Sequence, residues 1–281
     1  MNSIELNTEQ TRKLQLEILD LLVEFDRICR INHIRYFLSC GTLLGAVRHH
    51  GFIPWDDDAD VEMLREDYEK FVTVCNEDIQ KDKFFFQDSS TDSEYSWTYG
   101  KLRKRGTRYI RPGQSHLKQK DGICIDIFIL DNISASTKIQ RFMELSTRVC
   151  RKILWSKVGA LRATCAWQRM LYKLLCIFPH NCILTIYFYI VEWYRDKPTG
   201  WLGFFNTEVR TKRGYAFSSC WYENSKECMF EGHGFYIPNG YDKILYLKYG
   251  DYMTFPPVEE RRGSSPAEYI RFSDGLEING G

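Results

Sequence analysis

The stretch "GFIPWDDDADVEML", Gly51 to Leu64, sets Asp56, Asp57, Asp58 and Asp60 against the start of an apolar segment. Carboxylates this close repel one another, and burying even one is costly unless something positive compensates. The chain must place this run where a cation reaches it and still bury Ala59, Val61 and Met63. A strand meets both demands. Its side chains alternate, so Asp58 and Asp60 project to one face while the three apolar residues pack on the other. Two carboxylates one strand step apart form a clamp for a hard divalent cation such as magnesium or manganese, which takes oxygen ligands.

Taken alone, a D-x-D is also what acidic surface turns contain, so its companions decide. "GICIDIFILD" is the strongest strand in the sequence, and Asp126 stands inside it. An ionisable side chain in an apolar strand needs a partner: a metal shared with Asp58 and Asp60, or a lysine or backbone amide facing it. Asp131 closes the same strand and competes with Asp126 as the third carboxylate. Earlier, in "SCGTLLG", a strand meets a short helix through Ser39, Gly41 and Thr42. Glycine permits close backbone approach, and the helix start offers free amides and a positive dipole end. The stretch therefore suits a phosphate cradle, although the same residues also make a plain N-cap. Lys101 and Arg103 alternate on "YGKLRKR" and are expected to face the same phosphates, with Lys104 and Arg105 in solvent. Arg48, at the end of the short helix closed by Gly51, is a further cationic candidate. Carboxylates that hold magnesium, with cations around them, are the parts of phosphoryl or nucleotidyl transfer. There the metal orients an attacking hydroxyl for in-line displacement and a carboxylate takes its proton.

The rest of the chain supplies the scaffold. Leu14, Ile18, Leu21, Phe25 and Ile28 repeat at helical spacing after a start at Asn7–Thr8. "RYFLSCG", "ADVEM" and "KFFFQ" read as strands, and "SWTYGKLRKRGTRYI" as strands joined by a turn near Gly106. The expected fold is α+β (mixed α/β), with helices packed on a sheet. From Lys138 to Lys197 no strand pattern occurs, and helices separated by Pro179 are expected instead. Residues 1–135 thus form a core, 136–200 a helical insertion, and 201–281 a return to the core, with a tail from Val258 expected to be loosely ordered. Between Arg141 and Lys173 many basic residues meet a single acid, Glu144. The apolar runs beside Pro179 fall short of the roughly 20 residues that span a bilayer. Such helices either rest on an anionic membrane surface or present a solvated face over a buried pair.

A net charge of +1 sets up no bulk field toward nucleic acid, and none is expected as a partner. The first residues lack a basic stretch followed by an apolar one, so the ten cysteines are expected to remain thiols in a cytoplasmic protein. Cys220, Cys228 and His233 are too widely spaced for the tight ligand pairs of a structural zinc site.

"LSCGTLLGAVRHHGFIPWDDDADVEMLREDYEKF" resembles the signature of the LicD family of phosphocholine transferases, related to fukutin and the fukutin-related protein. "YGKLRKRGT", "IDIFILD" and "IPNGYDKILYLKYGDYMTFPP" extend the resemblance over most of the chain. It implies a nucleotidyltransferase-like core in which Gly41–Thr42 match the phosphate loop, Asp58 and Asp60 the paired metal ligands, and Asp126 the third carboxylate. It also implies a reaction: phosphocholine passes from CDP-choline to a hydroxyl of a glycan of teichoic acid or lipopolysaccharide type, and CMP leaves. A lipid-linked acceptor would place the protein at the inner face of the membrane. Choline is a quaternary ammonium, which aromatic faces attract. Trp55, Trp97, Tyr99, Tyr249 and Tyr252 lie in or beside the matched segments and could form such a box, although an aromatic in such a place is more often a core residue. The alternatives are ribitol phosphate from CDP-ribitol, nucleotidyl transfer on the same fold, and a catalytically silent nucleotide-binding module.

Overall fold

A computed structural model describes residues 3–205 and 216–280. Asn7 opens α1 (Thr8–Ile31) with a capping box: its side chain accepts the Gln10 N–H, and the Gln10 side chain accepts the Asn7 N–H. Two donors that a helix start leaves open are thereby satisfied. Leu14, Ile18, Leu21, Phe25 and Ile28 are all buried, at about 1.5–3 kcal/mol of transfer free energy each.

The chain continues through β1 (Phe37–Leu38), α2 (Cys40–His49), β2 (Asp60–Leu64), α3 (Arg65–Asp78), β3 (Phe84–Gln87), β4 (Gly100–Lys104), β5 (Arg108–Ile110) and β6 (Cys124–Asn132). Four helices follow with no strand between them: α4 (Thr137–Leu154), α5 (Ser156–Arg162), α6 (Ala166–Leu175) and α7 (His180–Val191). The last part holds β7 (Trp201–Gly203), β8 (Ala216–Ser218), β9 (Ser225–Phe230), β10 (His233–Pro238), α8 (Tyr241–Tyr249), β11 (Tyr269–Arg271) and β12 (Glu277–Asn279). This is an α+β architecture. Among the described residues the main sheet runs β1-β2-β6-β4-β3, with β7 and β8 continuing from β6. β2 and β6 are parallel and the other pairs antiparallel. Register sets Asp126 opposite Asp60 on one side and Lys101 on the other. The opposite face carries Ala59, Val61, Met63, Ile125 and Ile127 into the core shared with α1.

Three details differ from expectation. β4 and β5 do not pair; Gly106, at φ 74°, turns β5 away to join β11 and β12 in a separate three-stranded sheet. The tail is accordingly ordered rather than loose. Its few apolar residues are concentrated where they count, and Ala267, Ile270 and Phe272 enter the main core. Gly51 does not close α2, since His50 takes the left-handed conformation at φ 56°. Gly51 instead admits Glu231, whose Oε1 would lie 2.5 Å from an added Cβ.

The inserted helices have a core of their own, with Met143, Leu154, Ile183, Leu184 and Tyr187 packed together. No single described helix is long and apolar enough to cross a membrane; α6 and α7 are each short and meet at an 85° bend. α6 buries none of its residues. Trp167, Met170, Leu174, Ile177 and Phe178 are left more than half exposed.

Candidate active site

Alternation along β2 puts Asp60 and Glu62 on the face opposite Val61 and Met63. Parallel pairing with β6 and antiparallel pairing of β6 with β4 then line up Asp60, Asp126 and Lys101 in one row. The Lys101 ammonium donates to Asp126 Oδ1, both side chains being buried. One of the partners open to Asp126 from sequence, a lysine, faces it. Asp131 stands apart from this row: it accepts two hydrogen bonds from Arg65, at 2.6 and 2.9 Å.

Just before β2, Asp56, Asp57 and Asp58 each offer an oxygen within 4.8 Å of the other two. Asp58 accepts the Ser264 hydroxyl at 3.0 Å, and Asp57 the Ser265 N–H at 2.9 Å. Neither these three nor Asp60 forms an ion pair among the described residues. Burial, then repulsion from Asp58 and other neighbours, pushes Asp56 and Asp60 well above the usual carboxylate range. Asp57 is pushed up to about 6 for the same two reasons. Burial also raises Asp58, against the pull of Arg111. Asp126 goes the other way: burial acts to raise it, but Lys101 and Arg111 outweigh burial and hold it below its ordinary value. Crowded oxygen ligands are the donor set that suits a hard divalent metal; the oxygens that converge are those of Asp56, Asp57 and Asp58, with Asp60 and the lysine-bound Asp126 in the adjacent row.

The start of α2 is fastened to these acids. Thr42 Oγ1 accepts the Asp60 N–H at 2.9 Å. A Cβ on Gly41 would lie 2.7 Å from Asp56 Oδ2, so only glycine allows that approach. Ser39 is fully buried and donates to Glu62 Oε2 at 2.7 Å, which directs it beneath the helix start rather than toward a ligand. Three expected contributors are engaged elsewhere. Arg48 donates to the Tyr252 carbonyl at 2.7 Å and lies over the Phe255 ring. Trp55 packs beside Phe255 and His49, with Arg261 over its face. Arg103 donates to Gln87 and to the Gly122 carbonyl. Among the other aromatics, Tyr99 lies beneath the Lys101 ammonium at 5.1 Å, Trp97 lines a cleft nearby, Tyr252 donates to Asp242, and Tyr249 is exposed.

Two cations at the site escape a reading of the sequence. Arg111, just after β5, donates to the Ser265 hydroxyl and acts electrostatically on Asp58 and Asp126. Lys248 of α8 sits 3.4 Å from Cys40 Sγ. Burial lowers its proton affinity, and Cys40, Glu62 and Asp60 more than offset this. Lys248 falls inside the "YLKYGD" stretch, where a lysine on a helix otherwise reads as surface. Arg111 precedes Pro112–Gly113 and carries no signal of its own.

A mixed sheet that gathers carboxylates beside a glycine-led helix start is the layout of a nucleotidyltransferase domain. Residues 33–140 match the family described as LicD/FKTN/FKRP, nucleotidyltransferase domain. The chain carries a LicD-family domain. It is 29% identical over 256 residues, 89% of this chain and 94% of the relative, to the lipopolysaccharide cholinephosphotransferase LicD of Haemophilus influenzae. A shorter match links it to an uncharacterised protein of Rickettsia prowazekii, 39% identical over 70 residues, 23% of this chain and 26% of the relative.

Proposed function

We propose that the protein is a transferase that moves phosphocholine from CDP-choline to a hydroxyl of a glycan of lipopolysaccharide type, with magnesium or manganese held by Asp58 and Asp60. The observation that carries this reading is the convergence of Asp56, Asp57 and Asp58 beside Asp60, none of the four in an ion pair among the described residues, at a helix start, in a chain similar along most of its length to a cholinephosphotransferase. Bound metal would neutralise phosphate oxygens and lower the pKa of an attacking hydroxyl. The chain's own groups do the rest. The open amides at the start of α2 receive phosphate oxygens. Lys101 and Arg111 supply positive charge beside the row, where it is least screened. The acceptor oxygen forms a bond to the choline-bearing phosphorus, the bond from that phosphorus to CMP breaks, CMP departs with the electron pair, and the hydroxyl's proton passes to a carboxylate of the cluster.

A lipid-linked acceptor would be met at a membrane surface. The exposed apolar side chains of α6 and the residues after it, flanked by Arg162, Arg169 and Lys173, suit the inner face of an anionic bilayer. The deciding experiment incubates the purified protein with CDP-choline, magnesium and a lipid-linked glycan fraction and follows CMP. Expected is acceptor- and metal-dependent CMP, reduced roughly 10²–10³-fold or more in Asp58→Asn and Asp60→Asn. CMP from CDP-ribitol alone would change the cargo. No CMP with any donor or acceptor would overturn the proposal in favour of a binding module.

A further inference from the structure

Between the sheet and the inserted helices lies a cleft of about 490 Å³, a size typical of small-ligand sites. Arg111, Arg148, Arg151, Lys152 and Arg162 line it, and no acidic residue does. Arg148 is matched by Glu144 on its own helix, and Arg111 faces Asp126. Lys152 and Arg162 are exposed, with no ion pair among the described residues. Gly113, at φ 76°, fits under the Arg162 stem, since an added Cβ there would lie 2.9 Å from Arg162 Cγ. Trp97, Tyr99 and Trp155 fill the walls between the cations. Such a surface takes an anion; arginine forks match the oxygens of carboxylate and of phosphate, and phosphate, with close to two negative charges, is the better counterpart of several cations with no acid among them.

Position says which anion. The cleft lies on the β4 side of the acid row, joined to it by Tyr99, which precedes β4, and by Arg111, which acts on Asp126; α2, with Gly41 and Thr42, stands on the β2 side. In-line displacement keeps the incoming hydroxyl and the leaving group on opposite sides of the phosphorus. With CMP leaving beside α2, the acceptor enters from the cleft. We infer that the cleft is the acceptor site, and that the acceptor presents a phosphate close to the hydroxyl it offers. This rests on the transfer reading above. The phosphate sits on the sugar or on its lipid carrier; both offer the same dianion.

The test has two arms. In EDTA, tryptophan fluorescence from Trp97 and Trp155 is titrated with trehalose 6-phosphate and with trehalose, and separately with phosphatidylcholine vesicles with or without phosphatidic acid. Expected is saturable quenching by the phosphorylated sugar but not by trehalose, weakened at least tenfold in Lys152→Glu/Arg162→Glu. Lys70→Glu/Lys81→Glu, an equal charge change at exposed positions in and just after α3, serves as the control and should bind like the parent. Quenching by phosphatidic acid vesicles alone would assign the phosphate to the lipid. No binding, or equal binding by all three proteins, would overturn the inference. In turnover, trehalose 6-phosphate should compete with the glycan acceptor; competition with CDP-choline instead would make the cleft the donor site and overturn it. Phosphate binding lost in the double variant, together with no turnover on any acceptor, would retire the transferase reading and leave an anion-binding cleft.

Discussion

Asp60 and Asp126 stand opposite each other on neighbouring strands, yet one is pushed toward protonation and the other held ionised. The difference is Lys101, which bonds Asp126 and does not pair with Asp60. Replacing Lys101 with Met takes from buried Asp126 its hydrogen-bonded cation and leaves Arg111 facing it, at a cost of up to about 3–5 kcal/mol. A urea titration should show this as a lower midpoint at unchanged slope, with Lys101→Met/Asp126→Asn recovering part of the loss. The crowded acids make a second prediction. Asp56, Asp57 and Asp60 bind protons more tightly folded than unfolded. The folded state therefore holds more protons from about pH 4 upward, and metal-free stability falls as pH rises through the Asp57 value of about 6. A cation on these groups removes the penalty. Melting temperature in EDTA should decline between pH 4 and 7, and magnesium should raise it most at the upper end; equal profiles with and without magnesium would contradict the metal assignment.

At the scale of elements, whatever obeys a local period is legible from the chain. β2 and β6 alternate cleanly and α1 repeats at helical spacing, which places Asp60 and Asp126 on one sheet face; Asp58, expected on the same strand, lies in the loop before β2. What depends on a distant partner is not legible. Gly106 permits a hairpin as readily as a departure, and β5 departs because β11 offers it a partner well over a hundred residues later. Arg48 and Trp55 are drawn off by Phe255 and the Tyr252 carbonyl, contacts that no local pattern announces. Lys248 and Ser264 reach the acids in the same way, from far along the chain. The basic helices, ambiguous in sequence, expose an apolar surface on α6 in the fold. Trp167→Glu/Leu171→Glu should abolish co-sedimentation with phosphatidylglycerol vesicles while leaving the circular dichroism spectrum unchanged. Equal sedimentation of parent and variant would place the contact elsewhere.

For the whole molecule, the tail is part of the main core rather than an appendage. Phe272 is fully buried, and Phe272→Ala should cost about 3–5 kcal/mol, read as a lower urea midpoint. CMP formation should fall with it, because the same segment carries Ser264 and Ser265 to Asp58 and Asp57. Ser264 and Asp58 are 206 residues apart in the chain. Synthesis at about 5–20 residues per second separates their emergence from the ribosome by roughly 10–40 s. During that interval the nascent sheet carries its cluster of acids without the serines that will cover them. A growing chain is thus exposed to stray cations, and to chaperones, well before it holds a finished site.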